Sequence, residues 1–136
     1  MTFLGLLITI IVMADSSRLY TSEKLSSSLI NCVTQDKYGF MWIGTEYGLS
    51  KFDGYKFTNY LHNSKDTTSI ADNIISSFLV DKKGRLWIGC AKGLMRYNST
   101  NDNFIQYHFP DGRKPRIYDI IESKNGDILM GTAGFG

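Results

Sequence analysis

Short apolar and β-branched segments alternate with turn-forming residues along the chain. The segment Leu29 to Val33 precedes a turn at Asp36 to Gly39, and Phe40 to Ile43 follows it. Two such segments around a short turn predict a β-hairpin. The segment Phe40 to Ile43 is apolar at every position, which is typical of a strand covered on both faces. We therefore expect the second strand of this unit to be buried on both sides.

The turn has a local cause. Asp36 stands first and Gly39 fourth, which is the residue preference of a type I turn. The carboxylate can accept a hydrogen bond from the backbone two residues further on, and glycine tolerates a positive φ at the exit. Residues 81–84 repeat this chemistry, and residues 123–126 repeat it with a serine hydroxyl.

These turns belong to a longer repeat. Residues 36–49 and 81–94 agree at eight of fourteen positions and lie 45 residues apart. A weaker copy begins at Ser123, 42 residues after the second, and has Leu129 at the tryptophan position. Each full copy continues through a second turn into two more strands, so that a unit has four short strands. A repeat of this length predicts one blade of a β-propeller.

We therefore predict an all-β protein built from four-stranded antiparallel β-propeller blades. Ten predicted strands make an incomplete propeller of about two and a half blades, whereas closure needs about four or more. We expect the chain to be the N-terminal fragment of a longer protein. The predicted divisions are an export signal at 1–14, a lead-in segment at 15–28, blade 1 at 29–73, blade 2 at 74–116 and a partial blade 3 at 117–136.

The repeated residues are expected to serve the fold rather than to carry out chemistry. Trp42 and Trp87 are interpreted as wedges between blades, because repeated aromatic side chains normally belong to a core. Gly44, Gly89 and Gly131 stand two residues after Trp42, Trp87 and Leu129, and each is expected to permit close approach of the backbone. The predicted structural motif comprises Asp36, Gly39, Trp42, Gly44, Gly48, Asp81, Gly84, Trp87, Gly89, Gly93, Ser123, Gly126 and Gly131.

The pattern Asp-x-x-Gly-x-Met/Leu-Trp-Ile-Gly-Thr/Cys, followed after two residues by Gly-Leu, resembles the two-component regulator propeller repeat. Residues 26–33 and 48–57 are also similar to the usual first blade of that family, so the resemblance covers about residues 19–136. It implies the extracytoplasmic sensor region of a hybrid two-component histidine kinase of the Bacteroides type. It also implies further blades in the parent chain, a parent homodimer, and an oligosaccharide or other small ligand that controls glycan-utilisation genes.

The N-terminal segment Phe3 to Met13 is mostly apolar and carries no charge. Its eleven residues are too few for a spanning helix, which needs about 20. With Val12 to Ala14 it fits the apolar core and cleavage site of an export signal, although no Lys or Arg precedes it. The alternative interpretations are a buried strand and a wrongly assigned start codon in a longer gene. The export signal and the family resemblance together predict a periplasmic protein whose parent is anchored in the inner membrane.

The net charge and the cysteine content argue against a nucleic-acid-binding segment and against a disulfide scaffold. Fifteen Lys and Arg against thirteen Asp and Glu give a net charge of +2, which does not indicate nucleic-acid binding by this segment. Two cysteines cannot form a disulfide scaffold. Cys32 and Cys90 are interpreted as free, packed thiols.

No catalytic, metal or cofactor site is predicted, and the residues that contact a ligand cannot be assigned from the sequence. His62 and His108 follow the last strands of their units and have no Cys or acidic pair at ligand spacing. Residues 26–28 are three serines without a nearby base. The basic stretch at residues 113–116 is interpreted as a solvated linker.

Three functions are compatible with the sequence: a ligand-sensing module, a propeller enzyme such as a glycosidase or lyase, and a non-signalling interaction scaffold or gene remnant. A propeller enzyme needs convergent carboxylates, or a tyrosine nucleophile with a base. These blades show no such set. We therefore expect the fragment itself to be sensory and not catalytic.

Overall fold

The computed structural model describes residues 9–13, 16–20 and 24–134, and these residues form β-strands, turns and loops without an α-helix. The strands are β1 (Thr9–Met13), β2 (Ser16–Tyr20), β3 (Ile30–Gln35), β4 (Met41–Thr45), β5 (Gly48–Phe52), β6 (Phe57–Tyr60), β7 (Ile75–Val80), β8 (Leu86–Cys90), β9 (Gly93–Asn98), β10 (Asn103–Tyr107), β11 (Ile117–Glu122) and β12 (Ile128–Thr132).

The strands pair as antiparallel meanders in chain order. The first sheet contains β3 to β6, the second sheet β7 to β10, and the third sheet β11 and β12. The prediction of an all-β fold built from four-stranded antiparallel blades is confirmed. The three sheets begin at Ile30, Ile75 and Ile117, inside the ranges predicted for the three blades; the boundaries between blades stay predictions.

The N-terminal strands form a hairpin of their own. Strand β1 pairs with β2 in a register that brings Thr9 opposite Tyr20 and Met13 opposite Ser16. Part of the predicted export signal and part of the lead-in segment are therefore extended and paired with each other here. Residues 1–8 and 14 lie outside the described residues, and the export signal stays a prediction.

The second strands of the two complete sheets are the most buried. All five residues of β8 are buried, and in β4 only Met41 is half-buried. Trp42 is fully buried in one apolar cluster with Leu86 and Ile88 of the second sheet. Trp87 is buried with Ile117 of the third sheet. Each indole therefore lies between successive sheets, where burying a large apolar side chain contributes about 1.5–3 kcal/mol.

A glycine at one repeat position lets successive sheets approach each other, because it has no side chain. A Cβ atom built on Gly44 would lie 2.5 Å from Ile75 Cγ2 and 2.5 Å from Cys32 Sγ. At the next junction, a Cβ on Gly89 would lie 2.7 Å from Ile117 Cγ2. Real Cβ atoms do not come so close to other heavy atoms, so that only glycine fits at these two positions without movement of the neighbouring sheet.

The first strand of each sheet carries a β-bulge at one repeat position. The register shifts at Asn31, at Ser76 and at Tyr118. The Asn31 amide donates to the backbone carbonyl of Ile75 over 2.8 Å, and the Ser76 hydroxyl donates to the carbonyl of Ile117. Since a bulge re-aims the side chain it carries, the first two bulges tie their sheet to the first strand of the next one.

We expect Gly44→Ala to lower the free energy of unfolding by about 1–3 kcal/mol, because the added methyl group overpacks the junction. Urea unfolding measures this change as a shift of the midpoint at constant slope. Gly131→Ala is the matched control: it occupies the same repeat position, but its added Cβ would meet only Asp119 N, at 3.9 Å. Equal losses of stability in the two variants would contradict the overpacking account.

Candidate ligand site between the first two sheets

The aspartate of the repeat does more than close its turn. Asp36 Oδ1 accepts hydrogen bonds from the backbone N–H of Tyr38 at 2.9 Å and of Phe40 at 3.0 Å. Its second oxygen, Oδ2, accepts a bond from the Trp42 indole over 2.8 Å. The carboxylate therefore fixes both the backbone of the hairpin and the orientation of the inter-sheet indole.

The second copy repeats this arrangement in a more buried setting. Asp81 is 4% exposed, and its Oδ2 accepts from the Trp87 indole at 2.9 Å and from Arg85 Nε at 2.6 Å. Burial opposes the charge of Asp81, but the bonds from the Trp87 indole and from Arg85 outweigh it and lower the pKa of the carboxyl below its usual value. The carboxylate is thus held ionised inside the junction.

The third copy lacks both partners of this bond. Ser123 stands in the place of the aspartate, and its hydroxyl accepts only from the backbone N–H of Asp127, at 3.1 Å. Leu129, in the place of the tryptophan, has no N–H to donate and is half exposed. Because the aspartate and the tryptophan are replaced together in the third copy, the sequence carries a signal that the two side chains are paired. The turn preference of aspartate is a sufficient explanation for the aspartate alone, so this signal is easily missed.

The motif glycines fall into two groups. Those at the exits of turns have a positive φ, namely Gly39, Gly48, Gly84, Gly93 and Gly126. Of the remaining three, Gly44 and Gly89 face the neighbouring sheet, as expected. The expectation of a close approach is wrong for Gly131, because its added Cβ has no heavy atom of another described strand nearer than 3.9 Å.

A cluster of polar and aromatic side chains joins the first sheet to the second. The Lys51 ammonium donates to Tyr97 OH over 3.1 Å and to Asp102 Oδ1 over 3.3 Å. The hydroxyls of Tyr60 and Tyr97 donate to the same Asp102 oxygen at 2.6 and 2.7 Å. The ammonium also lies 5.5 Å from the centre of the Trp42 ring, within range of a cation–π interaction.

Asp102 holds this cluster from a strained backbone position. It has a φ of 51° and is the non-glycine residue of the described chain with a positive φ; Asp tolerates this region better than most residues. Partial burial opposes its charge, but the bonds from Tyr60, Tyr97 and Lys51 lower the pKa of Asp102 below its usual value. Burial also opposes the charge of Lys51, yet Tyr97 and Asp102 raise its pKa. Both groups are therefore charged at neutral pH.

A cavity of about 400 Å³ opens beside this cluster, and we call it the first-junction cavity. It is lined by Tyr38, Phe40, Lys51, Tyr97, Ser99 and Asp102. Two of these residues come from the turn after β3, one from β5, and three from β9 and the loop that follows it. Comparison of the repeats does not predict this set, because the residues at these positions differ between the two copies.

The residues considered for other chemistry lie apart. In the described part of the chain, no group of three or more His, Cys, Asp or Glu side chains is placed to hold a metal ion. His62 is exposed, and its Nδ1 lies 2.7 Å from Ile70 O. Both cysteines are free, and burial raises the pKa of the Cys90 thiol to about 11. A thiol with that pKa is protonated at neutral pH and is a poor nucleophile.

Comparison with protein families finds one match. The model of the two component regulator propeller matches residues 24–47 and residues 69–92. The two matched segments are 45 residues apart and contain the two complete copies of the Asp–Trp pair. Among curated proteins, Histidine kinase P4 of Formosa agariphila is 47% identical over 49 residues, which are 36% of this chain and 4% of that protein.

Comparison with solved structures finds similar folds. The extracellular domain of a hybrid two component system from B. thetaiotaomicron matches 79% of this chain with a TM-score of 0.69 and 29% identity. The extracellular domain of a one component system from the same organism matches 76% with a TM-score of 0.68 and 25% identity. This chain spans 16% and 15% of those two chains.

We expect Asp81→Asn to lower the free energy of unfolding at neutral pH by about 1.5–3 kcal/mol, because an amide N–H₂ then faces the N–H donors of Trp87 and Arg85. The depressed pKa of Asp81 adds stability that is present above its unfolded value of 3.8 and is lost as the pH falls through the folded value. The deficit of the variant should therefore shrink below about pH 4. Urea unfolding at several pH values measures this deficit, and Asp127→Asn, at an exposed position, is the control. A deficit that is as large at pH 2 as at neutral pH would contradict the assignment.

Removing one hydroxyl tests the cluster around Asp102. We expect Tyr60→Phe to lower the free energy of unfolding by about 1 kcal/mol, the usual net value of a hydrogen bond to a partly buried acceptor. Tyr55→Phe removes the hydroxyl of a residue that is 90% exposed and should leave thermal unfolding unchanged. Identical melting temperatures for the two variants would mean that the bond from Tyr60 to Asp102 adds no stability.

Proposed function

Because this chain carries two-component regulator propeller repeats, we propose that it is the ligand-sensing part of an extracytoplasmic sensor in a hybrid two-component system. The observation that carries the proposal is the match of both complete Asp–Trp repeats to that family. The likeness to the extracellular domain of a hybrid two component system, at 29% identity over 79% of this chain, supports it.

The proposal includes a periplasmic location and a parent protein anchored in the inner membrane. The similar structures are extracellular domains, which supports a location outside the cytoplasm. Within the described residues there is no helix long and apolar enough to cross a membrane. The export signal predicted at residues 1–14 supplies the route in this proposal.

The repeats belong to sensory domains, which are not catalytic themselves. Kinase activity, a homodimer and the remaining blades are proposed for the longer parent protein. Ligand binding on the sensory side would shift the relation between two sensor chains and so change the activity of the kinase. Such signalling requires the ligand to bind two conformational states of the sensor with different affinities.

We propose an oligosaccharide as the ligand and the control of glycan-utilisation genes as the output. The first-junction cavity supports this choice, since it combines aromatic rings with a carboxylate, an ammonium group and a hydroxyl. Small-molecule sites commonly pair apolar surface with a few placed polar groups.

Calorimetry of the sensor's extracellular part with a panel of oligosaccharides tests the proposal, together with a transcriptional reporter in cells that carry the intact sensor. We expect one saccharide class to bind and to raise the reporter signal, while the saccharide is recovered uncleaved. Binding without any transcriptional response would favour an interaction scaffold, and cleavage would favour a propeller enzyme. Silence across the panel in both assays would refute oligosaccharide sensing.

A further inference from the structure

Two side chains at the first-junction cavity, Tyr38 and Phe40, are not ones that the turn of the blade demands. Tyr38 and Phe40 belong to the turn of the first repeat, and the second repeat builds the same turn with Lys83 and Arg85 at these positions. The aspartate, the glycine and the tryptophan of the turn are shared, and both carboxylates make the same bond to their indole. The turn therefore does not require the aromatic pair at the cavity, although Phe40 also packs against the apolar cluster of Trp42.

One oxygen of the Asp102 carboxylate accepts no hydrogen bond from the cluster. Asp102 Oδ1 accepts from Lys51, Tyr60 and Tyr97, whereas Asp102 Oδ2 accepts no hydrogen bond from a described residue. The Asp102 side chain is 54% exposed, so that this second oxygen is open to a ligand. Lys51 uses two of its three N–H donors on Tyr97 and Asp102.

The charges of the cavity cancel. Lys51 and Asp102 are its only ionised lining groups, and their N–O distance is 3.3 Å. The other lining side chains are two tyrosines, a phenylalanine and a serine. A site with this balance has no net charge with which to attract a carboxylate, a sulfate or an amine on the ligand. It favours an uncharged group with hydroxyls that can both donate and accept.

Apolar surface lies beside this polar pair. Tyr38 is 61% exposed, and its ring centre lies 6.5 Å from that of Phe40 at the rim. A sugar ring presents C–H groups on its faces and hydroxyls at its edges. The rings can therefore cover a face of the sugar while the ammonium and the carboxylate engage neighbouring hydroxyls, one as donor and the other as acceptor.

We propose that the first-junction cavity is a subsite for one neutral sugar residue, with Asp102 Oδ2 accepting from one hydroxyl and Lys51 donating to its neighbour. This inference rests on the proposed oligosaccharide-sensing function. It adds the place of contact, the contacting side chains and a preference for neutral over charged saccharides.

The test is a calorimetric titration of the full chain with maltotetraose, cellotetraose, mannotetraose and galactotetraose as neutral probes. Tetragalacturonate and chitosan tetramer are the negatively and positively charged probes. We expect at least one neutral probe to bind at least tenfold more tightly than either charged probe. Trp42 and Trp87 are the only tryptophans of the chain, so a ¹⁵N spectrum has two indole signals. The bound neutral probe should shift the Trp42 signal and leave that of Trp87 in place.

Two variants test the contacting side chains. Tyr38→Ala should weaken binding of that probe at least tenfold at an unchanged melting temperature, since the ring is exposed. Tyr55→Ala is the control, because it removes the ring of a residue that is 90% exposed and lies outside the cavity lining. This variant should bind the probe as tightly as the unchanged chain does. Asp102→Asn keeps a residue that tolerates positive φ and should also weaken binding tenfold.

The outcomes separate the two proposals. A neutral probe that binds equally well to the Tyr38 and Asp102 variants would overturn the subsite and leave oligosaccharide sensing intact. Tighter binding of a charged probe would likewise overturn the subsite alone. If no saccharide of the panel binds, both the subsite and the proposed ligand class fail.

Discussion

The close approach of successive sheets is the constraint on which the rest of this structure depends. At each junction an isoleucine of the next sheet's first strand lies where the side chain of Gly44 or Gly89 would be. The missing Cβ brings the sheets near enough for the preceding tryptophan to be buried between them. Interiors are packed with few voids, so a junction formed by a glycine, an isoleucine and an indole leaves little freedom in how one sheet lies on the next.

The aspartate of each complete repeat couples this packing to the local turn. A hairpin turn alone needs only an acceptor for its backbone N–H groups, and Ser123 meets that need in the third copy. An indole buried between sheets needs an acceptor for its N–H as well, because an unsatisfied buried donor costs about 1–3 kcal/mol. One carboxylate with two oxygens meets both needs at once. For this reason Asp and Trp occur together in two copies and are absent together from the third.

The features that the sequence predicts well are those with local or repeated causes. Turn chemistry depends on four neighbouring residues, and the burial of Trp42 and Trp87 follows from the apolar run that each repeat shares. The N-terminal hairpin was not predicted as such, since an uncharged apolar run before a small residue also fits an export signal. The bulge bonds of Asn31 and Ser76 depend on the backbone of another sheet, 44 and 41 residues away, and no composition rule indicates such a partner.

The cluster of Lys51 and Asp102 escaped the sequence analysis for a related reason: its members are 51 residues apart and lie at positions that differ between repeats. Comparison of the repeats identifies the residues that every junction shares. It does not identify residues that are present at one junction alone. Arg96 occupies the repeat position of Lys51 one blade later, yet its Nε has no hydrogen-bond partner among the described residues. The fold accepts either cation there. The pairing with Asp102, the positive φ that holds it, and the rings of Tyr38 and Phe40 are specific to the first junction, where a repeated scaffold can carry a single recognition site.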